Sequence, residues 1–302
     1  MEVGIYGLGR MGANMARRLV NGGHRVVVFN RSRGPVEAAA AFGAVPSDSL
    51  ADFAGKLSAP RIVWLMLPAG DTTESAIQNL LPHLEPGDAV VDGANSNYKD
   101  TIRRAALLKE KGFHYVDVGT SGGIWGLTEG YSLMIGGEAE VVARLRPLFE
   151  TLAPAPDRGW GHVGPNGAGH FVKMVHNGIE YGMMQAFAEG FNLMHHKEEF
   201  DLDLHQIAEI WRFGSVVRSW LLDLIAHALE ENPELEGIAP FVADSGEGRW
   251  TVIEGVEQGV PLPVISLALS ERFRSQEEAS FADKLLAAMR KGFGGHAVKS
   301  AS

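Results

Sequence analysis

Residues 3–12 read VGIYGLGRMG: the apolar run Val3-Gly4-Ile5-Tyr6 is followed without a gap by Gly7-Leu8-Gly9-Arg10-Met11-Gly12. The run predicts a buried strand, and ANMARRL at 13–19 predicts a helix. The G-x-G-x-x-G at their junction gives each glycine a task. Gly7 permits the tight turn, Gly9 lets the backbone approach a pyrophosphate, and Gly12 allows the helix to pack closely on the strand. The helix N-terminus then offers N–H groups and a partial positive charge to phosphates. This stretch predicts an α/β domain that begins by binding a dinucleotide.

A second strand at 25–29 ends in Asn30-Arg31-Ser32, without the Asp or Glu that usually holds a ribose 2′-hydroxyl. Asn30 and Ser32 can donate hydrogen bonds, and Arg31 can pair with a 2′-phosphate and stack on adenine, which favours NADP over NAD. The competing account of Arg31 is a solvated surface charge. Strands and helices continue to alternate. Apolar strands at 62–67 and 89–92 run into Pro68-Ala69-Gly70 and Gly93-Ala94-Asn95-Ser96. A helix at 98–111, a strand at 113–117, a glycine-rich loop at 119–126, a strand at 131–137 and a helix at 138–148 follow. This order predicts a doubly wound, mainly parallel Rossmann sheet with ligands at the carboxyl ends of its strands. The loop glycines can turn N–H groups towards an anion such as a carboxylate. A Pro and Gly cluster at 154–164 marks a boundary. The expected organisation is a Rossmann domain at 1–164 and an all-α substrate and oligomerisation domain, with a C-terminal tail, at 165–302.

Residues 167–191 read GAGHFVKMVHNGIEYGMMQAFAEGF and predict a long helix. Lys173, His176, Asn177, Glu180 and Tyr181 share one face at 3.6 residues per turn, while Phe171, Met174, Val175, Ile179, Met183 and Met184 lie elsewhere. A lysine and a glutamate seven apart suit proton transfer to and from one bound molecule; a solvated stripe on an amphipathic helix gives the same pattern. Gly178 and Gly182 each cost about 1 kcal/mol in a helix interior, which implies a packing or access reason. Further on, Trp211, Trp220, Leu221, Leu222, Leu224 and Ile225 are expected to form core.

The formal charge of −10 argues against nucleic acid or an anionic membrane as partner. The absence of cysteine excludes disulfides and thiolate chemistry and fits a cytoplasmic location. No uncharged apolar run reaches the roughly 18 residues of a membrane span, and the N-terminus lacks a signal-peptide pattern. The eleven histidines show no metal-ligand spacing, so no metal is expected.

Four stretches, GLGRMG, DGANS, GTSGG followed by SLMIGG, and GHFVKMVHNGIEYGMMQ, together resemble the 6-phosphogluconate dehydrogenases, and the length resembles the family's short form. The resemblance implies oxidative decarboxylation of 6-phosphogluconate to ribulose 5-phosphate and CO2, in the pentose phosphate route or gluconate use. It makes Lys173 the general base and Glu180 the general acid. It assigns substrate contacts to Asn95, Ser121, Gly122, Gly123, His176, Asn177 and Tyr181. The cofactor set becomes Gly7, Leu8, Gly9, Arg10, Met11, Gly12, Asn30, Arg31, Ser32, Leu67, Pro68, Ala69 and Asn95.

In the second half, SGEGRWT at 245–251 resembles the family's K-G-T-G-K-W-T loop, but Ser245 stands where a phosphate-binding lysine is usual. Arg249 is a candidate to compensate. Arg272 matches a phosphate-binding arginine. RKGFGGH at 290–296 resembles a tail that enters the partner subunit's site, with Arg290 on phosphate and His296 on a substrate oxygen. That implies a homodimer or homotetramer. Two rivals remain: a 3-hydroxyisobutyrate-type β-hydroxyacid dehydrogenase, whose substrate has no phosphate for Arg272, Arg290 and His296, and a non-catalytic NADP-sensing module.

Overall fold

The computed structural model describes residues 1–294 and 297–299. In chain order, the N-terminal part carries β1 (Glu2–Tyr6), α1 (Arg10–Asn21), β2 (Arg25–Phe29), α2 (Arg33–Ala40), β3 (Val45–Pro46) and α3 (Leu50–Gly55). It continues through β4 (Ile62–Leu65), α4 (Asp71–Leu80), β5 (Ala89–Asp92), α5 (Tyr98–Glu110), β6 (His114–Ser121), α6 (Gly126–Glu129), β7 (Ser132–Gly137), α7 (Ala139–Leu152) and β8 (Trp160–Gly164). The remainder is helical: α8 (Ala168–His195), α9 (Leu204–Arg212), α10 (Trp220–Glu231), α11 (Glu247–Gln258), α12 (Pro263–Ser275) and α13 (Phe281–Gly294). A Rossmann-like α/β domain followed by a helical domain is the expected class. The chain forms two compact units, Met1–His176 and the residues from Asn177 onward, so the division falls inside α8.

One eight-stranded sheet, in the order β3-β2-β1-β4-β5-β6-β7-β8, dominates the first unit. Strands β1 to β6 run parallel, β7 is antiparallel to β6, and β8 is parallel to β7. The order reverses between β1 and β4, the switch point at which such sheets open a crevice beyond their carboxyl ends. Both faces are covered. One apolar layer joins Val3, Ile5, Met15 and Leu19 to Trp64, Val91 and Phe149; the other joins Val27, Phe53, Val63, Leu65, Leu80 and Val90. Such burial explains the β-branched runs of β1, β2, β4 and β5.

The differences from the sequence expectation have local causes. β4 stops at Leu65, and Met66 still donates its N–H to the Tyr6 carbonyl. β6 continues to Ser121 because Val118 to Ser121 pair with β7, so the first three residues of the expected glycine loop are strand. The Pro and Gly cluster at 154–164 contains β8, a half-exposed edge strand.

In the second unit, Phe191, Ala208, Leu222, Ala226 and Leu229 form a small core. Of the side chains expected there, Leu222 is buried and Trp211 and Ile225 pack against it, but Trp220 and Leu224 are 48% and 41% exposed. An apolar groove of about 510 Å³ opens beside them, lined by Phe187, Phe191, Leu221, Leu224 and Ile225 among others. Ile179, Met183 and Met184 of α8 are likewise exposed, whereas Lys173 and Tyr181 are buried. The polar stripe of this helix is its more covered side, with Lys173 and Tyr181 buried and His176, Asn177 and Glu180 half-buried. Among the described residues no helix is long and apolar enough to cross a membrane.

Candidate active site

The dinucleotide corner follows from backbone geometry. Gly7 has φ +104°, and a Cβ there would lie 2.3 Å from the Met66 carbonyl oxygen. A Cβ on Gly12 would lie 2.1 Å from the Gly7 carbonyl oxygen, so α1 can approach β1 only with glycine at 12. Gly9 differs: a Cβ there would meet nothing within 4 Å. Gly9 is also the N-cap of α1 and provides no side-chain cap for the first helical N–H groups. This cradle fits a pyrophosphate.

Asn30 accepts the Leu8 N–H at 3.1 Å and donates to the Ser32 carbonyl at 3.2 Å, so its amide shapes the loop after β2. Arg31 is exposed and, among the described residues, makes no ion pair, while Arg33 is taken up by Glu37 and Asp48. Arg31 is therefore an available cation just beyond the end of β2. Burial raises the Tyr6 phenol above its ordinary value despite the opposing charge of Arg31.

Lys173 sits one helical turn inside α8 and is 4% exposed. Two devices hold that turn on the sheet. The buried Asp117 carboxylate accepts the Gly167 N–H at 2.8 Å and the His170 N–H at 3.0 Å, tying β6 to the helix start. Glycines permit the close approach: a Cβ on Gly119 would lie 2.3 Å from Lys173 Cβ, and one on Gly169 would lie 2.4 Å from the Met134 carbonyl oxygen. The His170 ring also meets the Thr101 hydroxyl at 2.7 Å, fastening α8 to α5. Ser121, at the end of β6, has its hydroxyl 3.4 Å from His176 Nε2. Asn95 accepts the Thr120 N–H at 3.2 Å, so the loop after β5 is joined to the Ser121 strand. Lys173, His176, Ser121 and Asn95 thus belong to one connected region at the carboxyl edge of the sheet. Gly122 and Gly123 follow at once, with φ +131° and +52°.

Within the second unit, Tyr181 has its ring under the Arg272 guanidinium at 3.5 Å and its hydroxyl 3.2 Å from Ser245 Oγ. Arg272 also donates to the Ala243 carbonyl at 2.8 Å. Ser245 donates to Glu247 at 2.5 Å. Arg249, the candidate substitute for the missing lysine, is engaged by Asp244 at 2.7 and 3.0 Å and lies over the Phe273 ring. Gly178 has its packing reason: a Cβ there would lie 2.7 Å from Thr251 Cγ2. Arg290 lies exposed on α13, and His296 lies outside the described residues.

Sequence reasoning read Asp92 and Asp117 only as strand ends and gave Arg104 no role. A charged residue closing an apolar strand was the available signal for the two aspartates. Asp92 is fully buried and accepts from the Tyr115 hydroxyl at 2.7 Å, from Ser96 Oγ at 3.0 Å and from the Ala94 N–H at 3.2 Å. Burial, with the Asp92 carboxylate beside it, pushes the Tyr115 phenol well above its usual value and keeps it a donor.

Comparison with known proteins adds independent findings. Residues 2–163 match the family model described as the NAD binding domain of 6-phosphogluconate dehydrogenase, and residues 169–291 match that of the 6-phosphogluconate dehydrogenase C-terminal domain. The chain is 45% identical over 299 residues to an NAD(+)-dependent, decarboxylating 6-phosphogluconate dehydrogenase of Haloferax volcanii, covering 99% of this chain and 98% of that one. It resembles the structure of Plasmodium falciparum 6-phosphogluconate dehydrogenase, described apo, with NADP+ and with 6-phosphogluconate, at a TM-score of 0.84 and 29% identity. That match covers all of this chain and 66% of the other. A Mycobacterium tuberculosis 3-hydroxyisobutyrate dehydrogenase has a TM-score of 0.73 at 24% identity, covers 90% of this chain and 92% of that one, and shares the fold.

Proposed function

The chain belongs to the 6-phosphogluconate dehydrogenase family, and from that premise we propose that it oxidises and decarboxylates 6-phosphogluconate to ribulose 5-phosphate and CO2. The observation that carries the reading is the buried Lys173, held on the sheet beside the Ser121 strand, with Glu180 about two turns further along the same helix.

A bound dinucleotide would supply the acceptor for the hydride at C3 of the substrate. The backbone at 7–12 would hold its pyrophosphate, Asn30, Arg31 and Ser32 its ribose end, and the turn at 67–69 with Asn95 would border it. Lys173 Nζ takes the proton of the C3 hydroxyl as the carbonyl forms. The product is a β-keto acid whose C1–C2 bond breaks, leaving its electron pair on the enolate; the Lys173 ammonium donates to the developing oxygen. Glu180 delivers a proton to the carbon that lost CO2, and the ketose results. Ser121, Gly122 and Gly123 orient the carboxylate through hydroxyl and N–H donors. His176 and Asn177 hold sugar hydroxyls. Tyr181 and Arg272 bind the phosphate, with Arg290 and His296 supplied by a partner subunit. The exposed apolar side chains of α8 and α10 and the groove beside them support a homo-oligomer.

Arg31 supports NADP, and the name of the Haloferax relative supports NAD. The two lysine and glutamate roles separate experimentally. Lys173→Met abolishes dinucleotide reduction. Glu180→Gln leaves dinucleotide reduction by 6-phosphogluconate measurable but slows solvent proton incorporation into ribulose 5-phosphate by about 10²-fold or more. Near-normal turnover in either variant removes its assigned role.

A further inference from the structure

Arg104 of α5 has a side chain only 2% exposed, yet it lies outside every motif used above. A buried guanidinium is costly unless its donors are used, and here they reach three separate segments. Nε donates to Glu74 of α4 at 2.9 Å, and Nη2 donates to the Gly70 carbonyl at 3.1 Å. Nη1 lies 3.5 Å from the Asp92 carboxylate, a contact that acts chiefly through charge, and donates a long hydrogen bond to Ser96 Oγ at 3.4 Å. Gly70 closes the turn after β4, and Ser96 follows Asn95 in the loop after β5. Asn95 in turn accepts the Thr120 N–H beside Ser121. The planar guanidinium therefore fixes the spacing of two adjacent loops at the carboxyl edge, and the second loop carries that spacing on to β6.

Stability alone does not call for this arrangement, because well-packed apolar residues replace buried ion pairs at little cost. The fork geometry is the distinguishing feature. A lysine ammonium is a single point of charge and cannot hold Glu74, Gly70 and Ser96 with separate nitrogens. We infer that Arg104 is a positioning residue that sets the distance between the 68–70 turn and the 93–97 loop, so that both meet the dinucleotide together. The inference rests on the reading that these loops border the cofactor.

The test uses the full chain with Arg104→Lys and Glu74→Gln, each measured for dinucleotide Kd, dinucleotide KM, kcat and thermal midpoint. Titrations are made with NADPH and NADH well below the midpoint, where every variant is folded. Arg104→Lys raises the dinucleotide Kd and KM about tenfold or more, because the turn and loop lose their common anchor. Glu74→Gln leaves the Gly70 and Ser96 contacts in place and gives a smaller rise, about threefold. A Kd within twofold of the parent in folded Arg104→Lys overturns the inference, whatever happens to the midpoint. A parent protein that binds neither NADPH nor NADH overturns the cofactor reading itself, which separates the two failures.

Discussion

Replacing Gly119 by alanine tests how closely the Lys173 helix must sit on β6. The new Cβ would lie 2.3 Å from Lys173 Cβ, 2.7 Å from the Gly169 carbonyl oxygen and 3.1 Å from Lys173 Cγ. Ordinary contact begins at 3.4 Å, so the shortfall against Lys173 Cβ is about 1.1 Å (3.4 less 2.3). No rotamer relieves it, because a Cβ and a main-chain oxygen move only with the backbone. The helix start is also held by the two Asp117 hydrogen bonds, so the strain is shared between moving the helix and stretching those bonds. Overpacking of this kind costs about 1–3 kcal/mol of stability. A displacement of about 1 Å at the base costs about 10²-fold in rate, or about 2.7 kcal/mol. The expected result for Gly119→Ala is a kcat about 100-fold below the parent, with dinucleotide Kd close to the parent's. Gly161→Ala is the control, since a Cβ on that residue of β8 meets nothing within 4 Å. Steady-state rates, dinucleotide titration and thermal unfolding of both variants decide the matter. A Gly119→Ala enzyme that loses stability but keeps kcat within about threefold would refute the reasoning, because the helix position would then not govern the base.

Three further outcomes are expected. Arg31→Glu lowers kcat/KM for NADP about tenfold more than for NAD, since a carboxylate repels the 2′-phosphate and accepts a ribose hydroxyl; equal losses with both cofactors contradict that role. The Arg103 hydrogen bond, opposed by partial burial and aided by Arg104, holds the Glu74 carboxyl at about 2 against an ordinary 4.5. A depressed carboxyl stabilises the fold fully above 4.5 and loses that contribution as pH falls towards about 2. The parent's stability advantage over Glu74→Gln therefore shrinks across that interval, and an advantage independent of pH in denaturant titrations is the contrary result. Finally, a chain ending at Met289 should fold and bind dinucleotide but turn over no substrate. Mixing it with Lys173→Met should restore turnover, because the Lys173→Met chain supplies its tail to the truncated chain's site, where Lys173 is intact, and continued inactivity of the mixture counts against a shared site.

The features legible in the sequence are those whose information is local. Gly7, Gly9 and Gly12 stand between an apolar strand and a helix, and the structure gives Gly7 and Gly12 the steric constraint that their positions imply, while a Cβ on Gly9 would meet nothing within 4 Å. Lys173 was legible through helical period. That its stripe is the more covered side was not, because Ile179, Met183 and Met184 look like core in a helix wheel and are exposed in the chain. Trp220 and Leu224 misled for the same reason: apolar character reports a need for cover, not which surface provides it. β8 was hidden because Trp160 to Gly164 form a short edge strand among prolines and glycines, with little apolar alternation. Arg104 was invisible because its partners at 70, 74, 92 and 96 converge only once β4, β5 and α5 are assembled. Gly178 illustrates the reverse case, where the sequence posed a question and the facing Thr251 answers it.

The most direct measurement is reduction of NADP and of NAD by the purified protein with 6-phosphogluconate, with CO2 release followed in the same reaction and 3-hydroxyisobutyrate run beside it. Equal amounts of reduced dinucleotide and CO2 from 6-phosphogluconate, and no reduction with 3-hydroxyisobutyrate, are the expected result. No reduction of either dinucleotide with 6-phosphogluconate, or reduction without CO2, would contradict the assignment of Lys173 and Glu180 to this reaction.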